Sequence, residues 1–79
     1  MAENPIDDYQ LRLIADLMLE AGRIMEDVSS EFARRLPRSR DGVTERIALL
    51  EQSASDLTAL AAAARAILRQ SERSSSNNQ

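Results

Sequence analysis

The sequence predicts an all-α protein, an antiparallel, coiled-coil-like hairpin of two long helices that pairs with a second copy into a four-helix bundle. Three observations carry that expectation. Twelve of the apolar residues are alanine, against one Phe, one Tyr and no Trp; alanine and leucine favour helix, whereas sheet cores draw on aromatics. Only two glycines and two prolines occur in 79 residues, too few for the turns of an all-β fold. Apolar residues recur at spacings of three and four, the helical period.

The first helix has a marked start and stop. Asn4 is a candidate cap after a short lead, residues 1–4. Pro5 suits the first helical position, where its missing N–H has no partner to lose, and Asp7 and Asp8 favour the positive helix end. Pro37 cannot continue a helix and biases Leu36 away from the α region. Arg34 and Arg35 fall in the last turn, where cations suit the dipole. The helix is therefore expected over residues 5–35. A loop at 36–41 follows, with Asp41 as cap, and then a second helix over 42–72. The tail, 73–79, is polar and low in complexity, the composition of a disordered segment. Two helices of equal length joined by a short loop form a hairpin.

Apolar spacing then assigns faces. In the second helix Val43, Ile47, Leu50, Ala54, Leu57, Ala61, Ala64 and Leu68 form an unbroken seam of alternating fours and threes. In the first, Ile14, Leu17, Ala21, Ile24 and Val28 form the matching seam. Folding about the loop opposes Ile14 to Ala64, Leu17 to Ala61, Ala21 to Leu57 and Ile24 to Ala54, large against small at each level. A second column, Leu11, Met18, Met25 and Phe32, recurs every seven residues beside the first seam and has no partner in a two-helix fold. Leu60 and Ile67 widen the apolar face of the second helix. These six residues are the candidate interface for self-association or for a protein partner, since exposed apolar strips usually mark interfaces. Gly22, in mid-helix, suits a close helix crossing or a gentle kink.

Composition also narrows the chemistry. The chain has no histidine and no cysteine, and every basic residue is arginine, the signature of a G+C-rich, bacterial-type coding sequence. The commonest metal ligand and the side chain best suited to proton transfer near neutral pH are thus missing. Asp16, Glu20, Glu26, Asp27 and Glu31 on the first helix could suggest a di-metal bundle, but such sites need Glu-x-x-His repeats. They read instead as a solvated acidic face with ion pairs such as Glu31 with Arg35. The serines have no His, Lys or Cys to activate them, and no glycine-rich phosphate loop occurs. The expectation is a non-enzymatic protein with no cofactor, metal or catalytic residue.

Charge is distributed unevenly. Residues 1–33 carry −6 (two Arg against eight Asp or Glu), residues 34–46 carry +3, and residues 47–79 are neutral. Arg34, Arg35, Arg38 and Arg40 make the loop basic, a candidate contact for an anion or an acidic partner. The expected function is therefore a small helical interaction module, a scaffold, adaptor or regulator, most simply a homodimer. A nucleic-acid-binding regulator using the arginine tip is the first alternative. A net charge of −3 and the lack of stacking aromatics near the tip weigh against it. A chaperone or inhibitor covering a client helix is the second. The start of the chain is acidic without an apolar core, and segment 57–68 is too short and polar to span a bilayer. An acidic polar face is also unsuited to anionic lipid. The expected location is cytoplasmic.

Overall fold

The computed structural model describes residues 6–77 as two α-helices, α1 (Asp8–Phe32) and α2 (Arg40–Asn77), joined by residues 33–39. They form an antiparallel hairpin, a rod of 62 × 21 × 16 Å, and no strand occurs among the described residues.

Capping residues set the start of each helix, and both differ from the expected ones. Asp7 is extended (φ −70°, ψ 161°), and its carboxylate accepts the N–H of Gln10 at 2.8 Å while its carbonyl accepts that of Leu11 at 2.9 Å. Asp7 is therefore the cap of α1; Asn4 and Pro5 lie outside the described residues. At the far end Ala33 donates to the carbonyl of Ser29 at 2.9 Å, and Arg34 tightens onto that of Glu31 at 3.2 Å. The helix stops at Phe32, three residues short of the expected end. Pro37 has no N–H to offer the carbonyl four residues earlier, so the ladder cannot extend through it.

Ser39, not Asp41, caps α2. Its hydroxyl accepts the N–H of Gly42 at 3.0 Å and its carbonyl accepts that of Val43 at 3.0 Å. Asp41 lies inside the first turn, where its charge suits the helix end. Gly42 is fixed by space. A Cβ there would lie 2.6 Å from Cβ of Pro37, 3.0 Å from its Cγ and 2.9 Å from the Ser39 hydroxyl. The proline ring thus lies against the first turn of α2, and only glycine leaves it room. At its other end α2 continues to Asn77, past residue 72 and through most of the expected disordered tail. Once nucleated, a helix gains one hydrogen bond for each residue it adds, so polar residues can prolong it.

Along α1 the expected seam is observed: Ile14, Leu17, Ala21, Ile24 and Val28 are half-buried. On α2 four of the eight expected seam residues, Val43, Leu57, Ala64 and Leu68, are half-buried, and the rest of the contact is rotated. Ser53 and Ser71 are its least exposed residues, at 7% and 6%, and Leu49, Leu57, Leu60, Ala64 and Ile67 are half-buried with them. Ile47 and Leu50, expected in the seam, are about half exposed, and Ala54 and Ala61 are exposed. Of the four expected cross-helix pairs, Ile14–Ala64 and Ala21–Leu57 keep both members half-buried, whereas Ala61 and Ala54 turn outward. The reason is the width of the apolar arc on α2, which offers two stripes. Each stripe carries four leucine or isoleucine residues, so apolar content alone does not choose between them. The serines fit because they are small, and the Ser53 hydroxyl donates to the Leu49 carbonyl of its own helix at 2.8 Å.

Candidate interaction surface

No apolar side chain among the described residues is fully buried. The hairpin is one layer thick, so each helix leaves part of its apolar arc uncovered. On α1 the uncovered part is the expected column: Leu11, Met18 and Met25 are 52%, 62% and 54% exposed, and Phe32 is 37% exposed. Leu60 and Ile67 are placed differently. They are half-buried in the α2 seam, so the outer strip on that helix is formed by Ile47, Leu50, Ala54 and Ala61 in their stead.

The two strips share one face. An open groove between the helices is lined by Met25, Ser29 and Phe32 from α1 and by Leu50, Ala54 and Leu57 from α2. A second groove continues it toward the loop, with Phe32 and Leu50 common to both and Leu36, Val43 and Ile47 added. Leu36 itself is 55% exposed. The result is a continuous apolar face running from the loop along both helices.

Small residues alternate with the large ones on α1. Ala15, Gly22 and Ser29 fall between Leu11, Met18, Met25 and Phe32 at spacings of four and three, and all are exposed. Apart from the backbone of its own helical turn, no atom lies within 4 Å of the Cβ that Gly22 lacks, so this strip is open along its middle. The sequence column contained only the large members. The small ones carry too little apolar weight to stand out, although the same heptad spacing connects them.

The opposite side of the hairpin is polar. Its groove near the loop is lined by Asp27 and Glu31 from α1 and Glu45 and Arg46 from α2. Helical phase continues that side along α1 through Asp16 and Glu20 and along α2 through Gln52 and Asp56. Gln52 donates to the Asp56 carboxylate at 3.0 Å, and Arg23 pairs with Glu20 at 3.3 Å. Both are surface contacts of small energetic weight.

The arginines of the tip are exposed. Arg34 pairs with Glu31 at 3.7 Å, taking the place of the expected Glu31–Arg35 pair because α1 ends before Arg35 can share its helical phase. Arg46 reaches back across the hairpin, its guanidinium 3.5 Å from the Arg35 carbonyl. Arg35, Arg38 and Arg40 project to solvent around the loop. Among the described residues no three carboxylates converge as a metal site, and no helix is long and apolar enough to cross a membrane. No protein-family model, curated protein or solved structure matches this chain, so its functional reading rests on the geometry of the apolar face.

Proposed function

We propose that this chain is a non-enzymatic interaction module, a helical hairpin that covers its exposed apolar face by associating with a second copy into a four-helix bundle. The single observation that carries the reading is the shared groove, in which Met25 and Phe32 of α1 meet Leu50, Ala54 and Leu57 of α2 on one open side. Exposed apolar surface of that extent normally marks an association site.

Size favours a macromolecular occupant. α1 has 25 residues, or ~37 Å at ~1.5 Å per residue, and the rod is 21 Å wide. A face of that length and width is on the order of 800 Å², about what each partner gives to an ordinary specific interface. A second copy is the simplest occupant, because a two-fold pair of hairpins covers both apolar faces at once.

The test is solution mass by light scattering over a roughly hundredfold concentration range, since self-association follows mass action. The expected result is a dimer for the natural chain and a monomer for the variant carrying Met18→Glu and Met25→Glu. A monomeric natural chain at every concentration overturns self-association. If that monomer gained helicity on adding a helical client, the face would belong to a chaperone or inhibitor instead.

A further inference from the structure

Beyond self-association, we propose that the loop end of the apolar face is a docking pocket for an acidic peptide segment, which seats an apolar side chain in the pocket and sets its carboxylates on the arginines around it. The pocket is the groove that Leu36, Val43 and Ile47 add past the last turn of α1, and of α1 only Phe32 reaches it. Leu36 and Ile47 are 55% and 51% exposed, so the apolar floor is open to an occupant. Arg34 and Arg46 also line it. The pair with Glu31, at 3.7 Å, leaves the Arg34 side chain 73% exposed. The Arg46 guanidinium rests 3.5 Å from the Arg35 carbonyl and keeps further donors. Arg40 lies three residues before Val43 and seven before Ile47 in the same helix, so helical phase sets it on this side as well. Three guanidinium groups therefore border one apolar pocket.

Charge is sorted by side at this end of the rod. The carboxylates Asp27, Glu31 and Glu45 line the opposite groove, which shares only Arg46 with this one. Asp41 lies four residues before Glu45 and shares its phase. Glu51, one turn past Ile47, is the first carboxylate of α2 whose phase brings it to the pocket side. An anion in the pocket thus meets arginine toward the loop and its first repulsion a turn away. Both halves of the site define the occupant. A nucleic-acid strand would use the arginines, but its bases stack on aromatic faces, and Phe32 is the single aromatic residue that lines the pocket. A peptide matches both halves, with an apolar anchor against Leu36, Val43 and Ile47 and carboxylates forked onto arginine.

Fluorescence anisotropy on the full chain tests this with a labelled peptide carrying a few leucines among glutamates. The comparison probes are the same peptide with lysine for glutamate or serine for leucine, and a single-stranded oligonucleotide of equal charge. The expected result is saturable binding of the glutamate–leucine peptide that weakens with salt. Replacing Arg34 and Arg40 together by alanine should weaken it about tenfold. Ile47→Ser, at a half-exposed position, should act by a similar factor. Arg65→Ala with Arg69→Ala, exposed near the other end of the rod, should leave it unchanged. Equal binding of the serine or the lysine peptide overturns the pocket, as does an oligonucleotide that binds as tightly and is indifferent to Ile47→Ser. No binding of the glutamate–leucine peptide at low salt overturns it outright. Light scattering on the same samples reads their mass. A dimer that fails to bind removes this inference alone, and a monomer that binds removes self-association alone.

Discussion

Adding one methyl group at residue 42 should destabilise the hairpin, although alanine is the better helix former. A Cβ on Gly42 would stand 2.6 Å from Cβ of Pro37 and 3.0 Å from its Cγ. Ordinary carbon–carbon contact is ~3.5–4.0 Å, so the deficit is about an ångström, and the pyrrolidine ring has no rotamer to escape into. The Ser39 hydroxyl, 2.9 Å away on another side, is held as the cap of α2. Relief therefore requires moving the loop off the helix or surrendering the cap. Overpacking of this kind costs ~1–3 kcal/mol, and loss of the cap adds ~1 kcal/mol. Replacing glycine by alanine inside a helix returns at most ~1 kcal/mol. The net for Gly42→Ala is a loss of ~2 kcal/mol, or a fall in Tm of about 10 °C for a chain of this size. Thermal melting followed by helical circular dichroism, at one fixed protein concentration, measures it. Pro37→Ala in the same chain should recover much of the loss, with a coupling of ~1 kcal/mol or more in the double-mutant cycle. A Gly42→Ala variant that melts at or above the natural chain would refute the close approach of Pro37 to α2.

Other expectations concern the caps and the open strip. Ser39→Ala removes the hydroxyl that accepts from Gly42 and should cost ~1 kcal/mol, whereas Ser39→Asp should keep most of the stability; equal melting of all three chains would contradict the capping role. Asp7→Ala should fray the first turn of α1, seen as faster hydrogen exchange at the Gln10 amide with little change at Ile24. Gly22→Ala should act with opposite signs on two quantities. Apart from the backbone of its own helical turn, nothing lies within 4 Å of the added methyl in the hairpin, so the dilute monomer should gain up to ~1 kcal/mol. In the proposed bundle the same methyl stands on the strip that meets the second copy, so dimer dissociation should become easier. Tighter dimers from Gly22→Ala would remove Gly22 from the interface.

The hairpin itself was legible because long helices announce themselves through spacing, and Pro37 leaves only one place for the turn. The α1 seam was legible for the same reason, since its apolar residues follow one helical face. The ends were less so. Asn4, Asp7, Ser39 and Asp41 are all chemically able to cap, and which one does so depends on where the chain turns. The phase of α2 was the larger gap. Two stripes of apolar residues lie side by side on it, and the unbroken one, through Ile47, Leu50, Ala54 and Ala61, reads as the seam. The stripe that packs on α1 is interrupted by Ser53 and Ser71, which disguises it. Periodicity registers side-chain polarity, whereas a close helix contact also selects for small volume. The outer column of α1 was visible in Leu11, Met18, Met25 and Phe32, but its shape depends on Ala15, Gly22 and Ser29, which hydrophobicity alone does not weight.

The polar side of the hairpin has a consequence for how far assembly can proceed. Asp27, Glu31 and Glu45 line a groove there, and Asp16, Glu20 and Asp56 extend the same side by helical phase. When two hairpins meet through their apolar faces, both outer surfaces of the bundle are these carboxylate-bearing sides. A third hairpin would have to set an apolar face on a surface of hydrated negative charge, or press one acidic surface on another. Growth by stacking therefore terminates at two layers. The same feature bears on the isolated chain, which would otherwise be a sticky ribbon on both sides. With the shared groove on one side, an encounter between two copies covers most of the apolar surface and leaves outside it only scattered residues such as Tyr9 and Leu19, a poor base from which a filament could propagate.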